Sequence, residues 1–149
     1  MESYPADLPT GDPESAAIVA GWQEYQRVSD KFTSDPFGYT DFSETQNVST
    51  GDAANSIIRD VEVFRQRRHR TDGGMVFRDV ALSDAAPGSS GAREATLTYC
   101  IDVNAFRVFH IDTGEPVKRS GTYFETTTMQ QGKDGKWRVS LMRNAEVPC

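Results

Sequence analysis

The sequence predicts an α+β fold, with N-terminal helices packed on one curved antiparallel sheet built by the second half of the chain. Apolar residues recur at helical spacing over roughly the first 70 residues and then alternate with period two. The later alternating segments are joined by short turns, which suits antiparallel neighbours. The 149-residue length fits one domain, and a 37% hydrophobic fraction is enough for a packed core.

The first helix is expected to start at Asp12, a good cap, with Pro13 at the first helical position and Glu14 in the first turn. Ile18, Trp22, Tyr25 and Ser29 form its stripe, broadened by Ala17, Gly21 and Val28. It should run to Lys31 or Phe32, ahead of the breakers Pro36 and Gly38. Residues 1–12 then form a flexible tail, and 13–149 a single domain. A short second helix is expected over residues 40–46, capped by Thr40 and anchored by Phe37, Tyr39 and Phe42. A third starts at Asp52 and carries Ile57, Val61 and Phe64 at i, i+4 and i+7. Its end is basic (Arg65, Arg67, Arg68, His69, Arg70), which suits the negative end of the helix dipole. A local anion contact is the other reading of that cluster. Asp72-Gly73-Gly74 stops the segment.

Strands follow. Residues 75–82 read as the first, with Val76, Arg78 and Val80 facing opposite to Met75, Phe77 and Ala81. Residues 83–92, with Pro87, Gly88 and Gly91, read as a loop. The strongest strand signal is the row Ala95, Leu97, Tyr99, Ile101, Val103, alternating with Thr96, Thr98, Cys100, Asp102, Asn104. Residues 107–111 continue or re-enter the sheet, and the stretch Asp112-Thr113-Gly114-Glu115 turns. Residues 117–130 return. After a turn at 132–135, Trp137, Val139 and Leu141 alternate with Arg138, Ser140 and Met142 in the last strand.

The net charge is −6, and it is uneven: residues 1–50 hold nine acidic and two basic side chains, the remainder 13 and 14. An acidic chain disfavours nonspecific nucleic-acid and anionic-membrane binding, so no nucleic-acid partner is expected. No apolar run is long enough for a transmembrane segment. Residues 1–10 lack the basic start and apolar run of a signal peptide, so an exported protein would have lost its signal.

Cys100 and Cys149 are the only cysteines, and they leave a choice between two free thiols and one disulfide. If the last strand returns beside residues 94–103, the tail can reach Cys100. Closing that loop of about 50 residues would then contribute about 4 kcal/mol in the chain-entropy model. A disulfide implies an extracytoplasmic or cell-envelope setting, free thiols a cytoplasmic one. Scattered cysteines and two histidines make no zinc pattern, and the fingerprints of nucleotide, phosphate, zinc-protease and serine-hydrolase sites are absent, so no cofactor or metal is expected. Asp102 shares a strand face with Cys100. Exposure is the expectation there, because burial would require a partner such as Arg78 or Arg119. His110 is a lone strand histidine with no nucleophile or carboxylate fixed beside it, hence a weak base candidate. Trp22, Tyr25, Phe42, Phe64, Phe77 and Tyr123 supply core volume, and some could line a pocket for a small apolar ligand.

The helix over 16–31, the start Gly51-Asp52-Ala53-Ala54 and the later strands resemble the NTF2-like (cystatin-like α+β) superfamily. Within it the chain looks like small secreted proteins or lipoproteins of actinobacteria and their phages. The stretches carrying this are Tyr99-Cys100-Ile101-Asp102, Asp112-Thr113-Gly114-Glu115-Pro116 and Gly135-Lys136-Trp137-Arg138-Val139, the last similar to the Gly-x-Trp-x-Val final strand of the superfamily. The resemblance implies a bent sheet wrapped into a cone with a central cavity, and sheet-mediated homodimers. Members resembling ketosteroid isomerase pair a tyrosine or protonated acid with a carboxylate base. Tyr25 and Asp102 are the only candidates for those roles here, and the activity is not carried over. The expectation is therefore a noncatalytic binding or accessory domain, acting on an unknown protein or a small ligand through a cavity or a sheet face. The alternative is a small-molecule isomerase or hydrolyase.

Overall fold

The computed structural model describes residues 2–145 and 147–149. Helix α1 spans Pro13–Ser34, and the Asp12 carboxylate accepts from the Ser15 backbone N–H at its start, as the sequence predicts. Its buried stripe includes Ile18, Trp22, Tyr25, Val28 and Phe32. The second expected helix is a 3₁₀ turn, Ser43–Asn47, and Phe42 rather than Thr40 stands at its cap. A second 3₁₀ turn, Gly51–Ala53, takes the place of the start expected at Asp52. Helix α2 then runs over Ser56–Arg67, burying Ile57 and Val61. It ends earlier than Asp72 because Arg68 adopts the left-handed conformation (φ 54°), which closes the last turn.

The freed residues become a strand the periodicity does not reveal. β1 (His69–Thr71) pairs antiparallel with β5 (Val108–His110) in a separate two-stranded ribbon. The main sheet has the order β2 (Phe77–Leu82), β4 (Arg93–Asp102), β6 (Thr122–Gln131), β7 (Trp137–Ala145), with the short β3 (Ala86–Pro87) also on β4. All these pairings are antiparallel.

Two bulges overturn the strict alternation expected of β2 and β7. Phe77 pairs with Ile101 and Leu82 with Leu97, with the register shifting between Arg78 and Ala81, where Asp79 has φ 54°. In β7, Val139 lies opposite Met129 and Leu141 opposite Thr128, so Ser140 is the extra residue. Side-chain parity flips after each bulge, bringing Leu82 and Met142 rather than Ala81 and Leu141 to the core. Bulges also increase local twist and bend the strand, which is how the sheet curves round α1.

The core is the expected β4 row, Ala95, Leu97, Tyr99 and Ile101, joined by Trp22, Phe32, Ile57, Met129 and Val139. The segment expected to be a loose tail touches this core. Tyr4 stacks on Phe77 with centroids 5.4 Å apart and meets Trp22 edge-on, and the Phe77 N–H donates to the Ser3 carbonyl at 2.7 Å. Leu8 packs against the core as well. At the far edge of the sheet, residues 48–50 run along β7: the Thr50 N–H donates to the Val139 carbonyl, and the Val139 N–H to the Val48 carbonyl. Both edges are thereby partly covered.

Cys100 and Cys149 form a disulfide with Cα atoms 5.8 Å apart. The expected route is corrected: β7 pairs with β6, so β6 lies between β7 and Cys100. The C-terminal residues instead cross the end of β6, where the Cys149 N–H donates to Thr122 Oγ1 at 2.9 Å.

Candidate functional site

The proposed partnership of Tyr25 and Asp102 does not form. Asp102 lies on the Cys100 face of β4, and Tyr25 packs on the face that carries Tyr99. Asp102 is buried, against the expectation of exposure, and one of the two expected partners explains how. Arg78 ion-pairs with its Oδ2, while Oδ1 accepts from the backbone and side-chain nitrogens of Asn104, each at 3.1 Å. This carboxylate is spoken for by structure.

Tyr25 instead faces an acid the sequence reading missed. Glu125 is 7% exposed and points inward from β6, opposite Tyr99 in the register. Burial pushes its carboxyl up to about 7, the Tyr99 hydroxyl pulls it back, and the Asp60 charge raises it further. The same burial, with the charges of Asp60 and Glu125, drives the Tyr25 hydroxyl well above its usual range. The Tyr99 hydroxyl is hydrogen-bonded to Thr127 Oγ1 at 2.6 Å. The Trp22 indole N–H beside them is the single buried side-chain polar atom without a partner among the described residues. The available signal was the parity of β6: Tyr123, Glu125, Thr127 and Met129 share one face, and Met129 marks it as the core face.

An open pocket of about 220 Å³ lies next to this cluster, and Asp60 belongs to both. Ser29, Asp30 and Thr33 of α1 form one wall; Asp60, Val63, Phe64 and Arg67 of α2 form another. His69, Met75, Phe106 and Arg119 close it. Among the described residues, none of Asp30, Asp60, Arg67, His69 and Arg119 is in an ion pair. Burial raises the Asp30 carboxyl to about 6. Asp60 keeps exposed surface at the mouth, yet its crowded surroundings raise it too, with Arg59 pulling it down. His69 is lowered, first by burial and then by the charges of His110, Arg67 and Arg119, which favours its neutral form. Gly74 packs closely on Asp30 from outside the pocket: a Cβ there would stand 2.7 Å from Asp30 Oδ2 and 3.1 Å from Ser3 Oγ.

Of the aromatic residues expected to line a pocket, Phe64 does so here, and Phe77 lines a separate groove with Tyr4 and Asp30. Trp22, Tyr25 and Phe77 are buried in the core; Phe42 packs on Phe32, and Tyr123 packs at the core margin. His110 is exposed on the two-stranded ribbon, its ring 4.7 Å from that of His69. A larger groove of about 440 Å³ runs between α1 and Gly135–Trp137, but its Arg27, Glu24 and Glu44 already pair with one another. Among the described residues no group of His, Cys, Asp and Glu is arranged to hold a metal ion, and no helix is long and apolar enough to cross a membrane.

No family model and no curated protein matches this chain. Solved structures do. The intermembrane-space region of the chloroplast protein ARC6 superposes with a TM-score of 0.57 at 12% identity, covering 93% of this chain and all (100%) of that one. A ketosteroid isomerase-like protein from Erwinia carotovora atroseptica gives 0.54 at 11% identity, covering 93% and 99%. An NTF2-like superfamily protein from Salmonella enterica serovar Typhimurium gives 0.52 at 13%, covering 91% and 94%. At such identities the likeness concerns the fold alone. That fold is the NTF2-like cone, helices packed on a curved antiparallel sheet, as the sequence predicts.

Proposed function

We propose that this chain is a noncatalytic ligand-binding or accessory domain working outside the cytoplasm, in the manner of small secreted proteins of actinobacteria and their phages. The observation that carries the binding role is the pocket between α1 and α2, whose charged side chains have no ion-pair partners among the described residues. Asp30 is half-buried there while Asp60, Arg67 and Arg119 are exposed, so the pocket offers an incoming ligand polar groups of both signs beside an apolar wall. The cone interior, by contrast, is filled: Trp22, Phe77 and Tyr99 pack ring against ring, with Tyr4 laid over them. The Cys100–Cys149 disulfide supports the extracytoplasmic setting. A titration of ¹⁵N-labelled protein with a set of small fragments tests the role. Shifts should concentrate at residues 29–33, 60–67, 75 and 106; shifts scattered over the surface would remove this reading.

A second reading rests on Glu125. A buried carboxyl that titrates near 7 between two tyrosines is suited to moving a proton on and off carbon. The ketosteroid isomerase-like structural neighbour keeps this alternative in view. It requires a path from solvent to a residue that is 7% exposed. Solvent-deuterium uptake by β,γ-unsaturated ketones, abolished by Glu125→Gln, would establish it. No uptake is the result expected of a binding domain.

A further inference from the structure

We infer that the pocket between α1 and α2 takes a small zwitterion with an apolar body, of the size and chemistry of a free amino acid: its ammonium against Asp30 and Asp60, its carboxylate against Arg67 and Arg119. This deepens the binding role proposed above and rests on it.

Two carboxylates and two guanidinium groups line the same pocket. Asp60 and Arg67 are seven residues apart on α2 and both line it, about 10 Å apart along the helix axis. Arg67 lies close to His69, with Arg119 also near that ring, so the two guanidinium groups share one side of the pocket. Asp30 adds a second carboxylate from α1. Arg119 extends the basic side, its guanidinium 5.4 Å from the centroid of the Phe106 ring that forms part of the apolar wall. His69 lies near these cations, which favour its neutral form, beside two carboxylates and two guanidinium groups.

A purely cationic ligand would satisfy the carboxylates but meet Arg67 and Arg119. A purely anionic one would meet Asp30 and Asp60. Only a ligand with both charges pairs both ends without leaving one repelled. Val63, Phe64, Met75 and Phe106 provide apolar contact for its side chain. Size agrees: about 220 Å³ falls below the roughly 300 Å³ at which drug-sized pockets begin. The elevated Asp30 carboxyl is consistent with a site completed by an incoming ammonium, which would draw it back down.

Three probes sharing one ring test this: L-phenylalanine, phenethylamine, which lacks the carboxylate, and 3-phenylpropionate, which lacks the ammonium. Amide shifts locate each probe and give its affinity. Phenylalanine should bind in the pocket at least tenfold more tightly than either analogue. Asp30→Asn should reduce phenylalanine and phenethylamine binding and spare phenylpropionate. Arg119→Gln should do the converse. Asp60→Asn serves as a second acidic variant, should Asp30→Asn disturb the fold. An analogue that binds there as tightly as phenylalanine overturns the zwitterion and leaves the pocket a binding site. If the fragment set reaches the pocket but none of the three probes does, the zwitterion falls alone. If neither reaches it, both readings fall.

Discussion

Glu125 holds its proton to about pH 7 because its carboxyl is buried among tyrosines and close to Asp60. The unfolded chain releases that proton near its usual value of 4.5. Between these two pH values the native state binds more protons than the unfolded state, so stability falls as pH rises through that window. The loss attributable to this residue is roughly 3 kcal/mol. Glu125→Gln removes the charge, so relative to the variant the native protein should lose about that amount between pH 4.5 and 8 in urea unfolding. A wild-type-minus-variant difference that does not change with pH would show that Glu125 is not the buried acid described. Asp102 presents the opposite case, a buried carboxylate with its partners in place. Arg78→Met should cost about 2 kcal/mol by stranding it, less than a fully buried pair because Arg78 is half exposed. Combining it with Asp102→Asn should recover part of that loss in a double-mutant cycle.

At the scale of elements, α1 sits tightly on the first residue of β7. A Cβ on Gly21 would stand 2.5 Å from the Trp137 carbonyl oxygen and 3.1 Å from Trp137 Cβ. Alanine is favoured over glycine inside a helix by about 1 kcal/mol, but here backbone must move to admit it. The overpacking term wins, and Gly21→Ala should destabilise by about 2 kcal/mol in thermal or urea unfolding. A stabilised variant would mean that α1 and β7 are farther apart than described. The bulges in β2 and β7 are the other devices at this scale, since each converts a strand that would lie flat into one that bends over the helix.

For the whole molecule, the disulfide ties the last residue to the middle of the sheet across 49 residues. Reduction, or Cys149→Ser, should lower unfolding free energy by about 4 kcal/mol in the chain-entropy picture. The denaturant midpoint with and without reductant measures it; an unchanged midpoint would show that the C-terminal crossing contributes nothing. The N-terminal residues act at the same scale. Tyr4 closes the aromatic stack over Phe77 and Trp22 and so joins the N-terminal segment to the core.

The sequence by itself determined the α+β class, the capped start of α1 at Asp12, the β4 core row and the hairpin turn at 132–135. Each is decided by neighbours in the chain, through helical or two-residue periodicity and turn chemistry. The sequence also named Arg78 as a partner for a buried Asp102, because an isolated buried charge is so costly that few alternatives exist. Only the tertiary structure decided the rest. The pairing of β1 with β5 joins segments about 40 residues apart, and three-residue strands carry too little pattern to announce themselves. Bulges shift parity by one residue, which periodicity read along one strand cannot detect. The candidate site gathers Asp30, Asp60, Arg67 and Arg119 from two helices and a loop. Taken singly, each reads as an ordinary surface charge. Their meaning comes from the packing that brings them around one cavity and leaves them, among the described residues, without ion-pair partners.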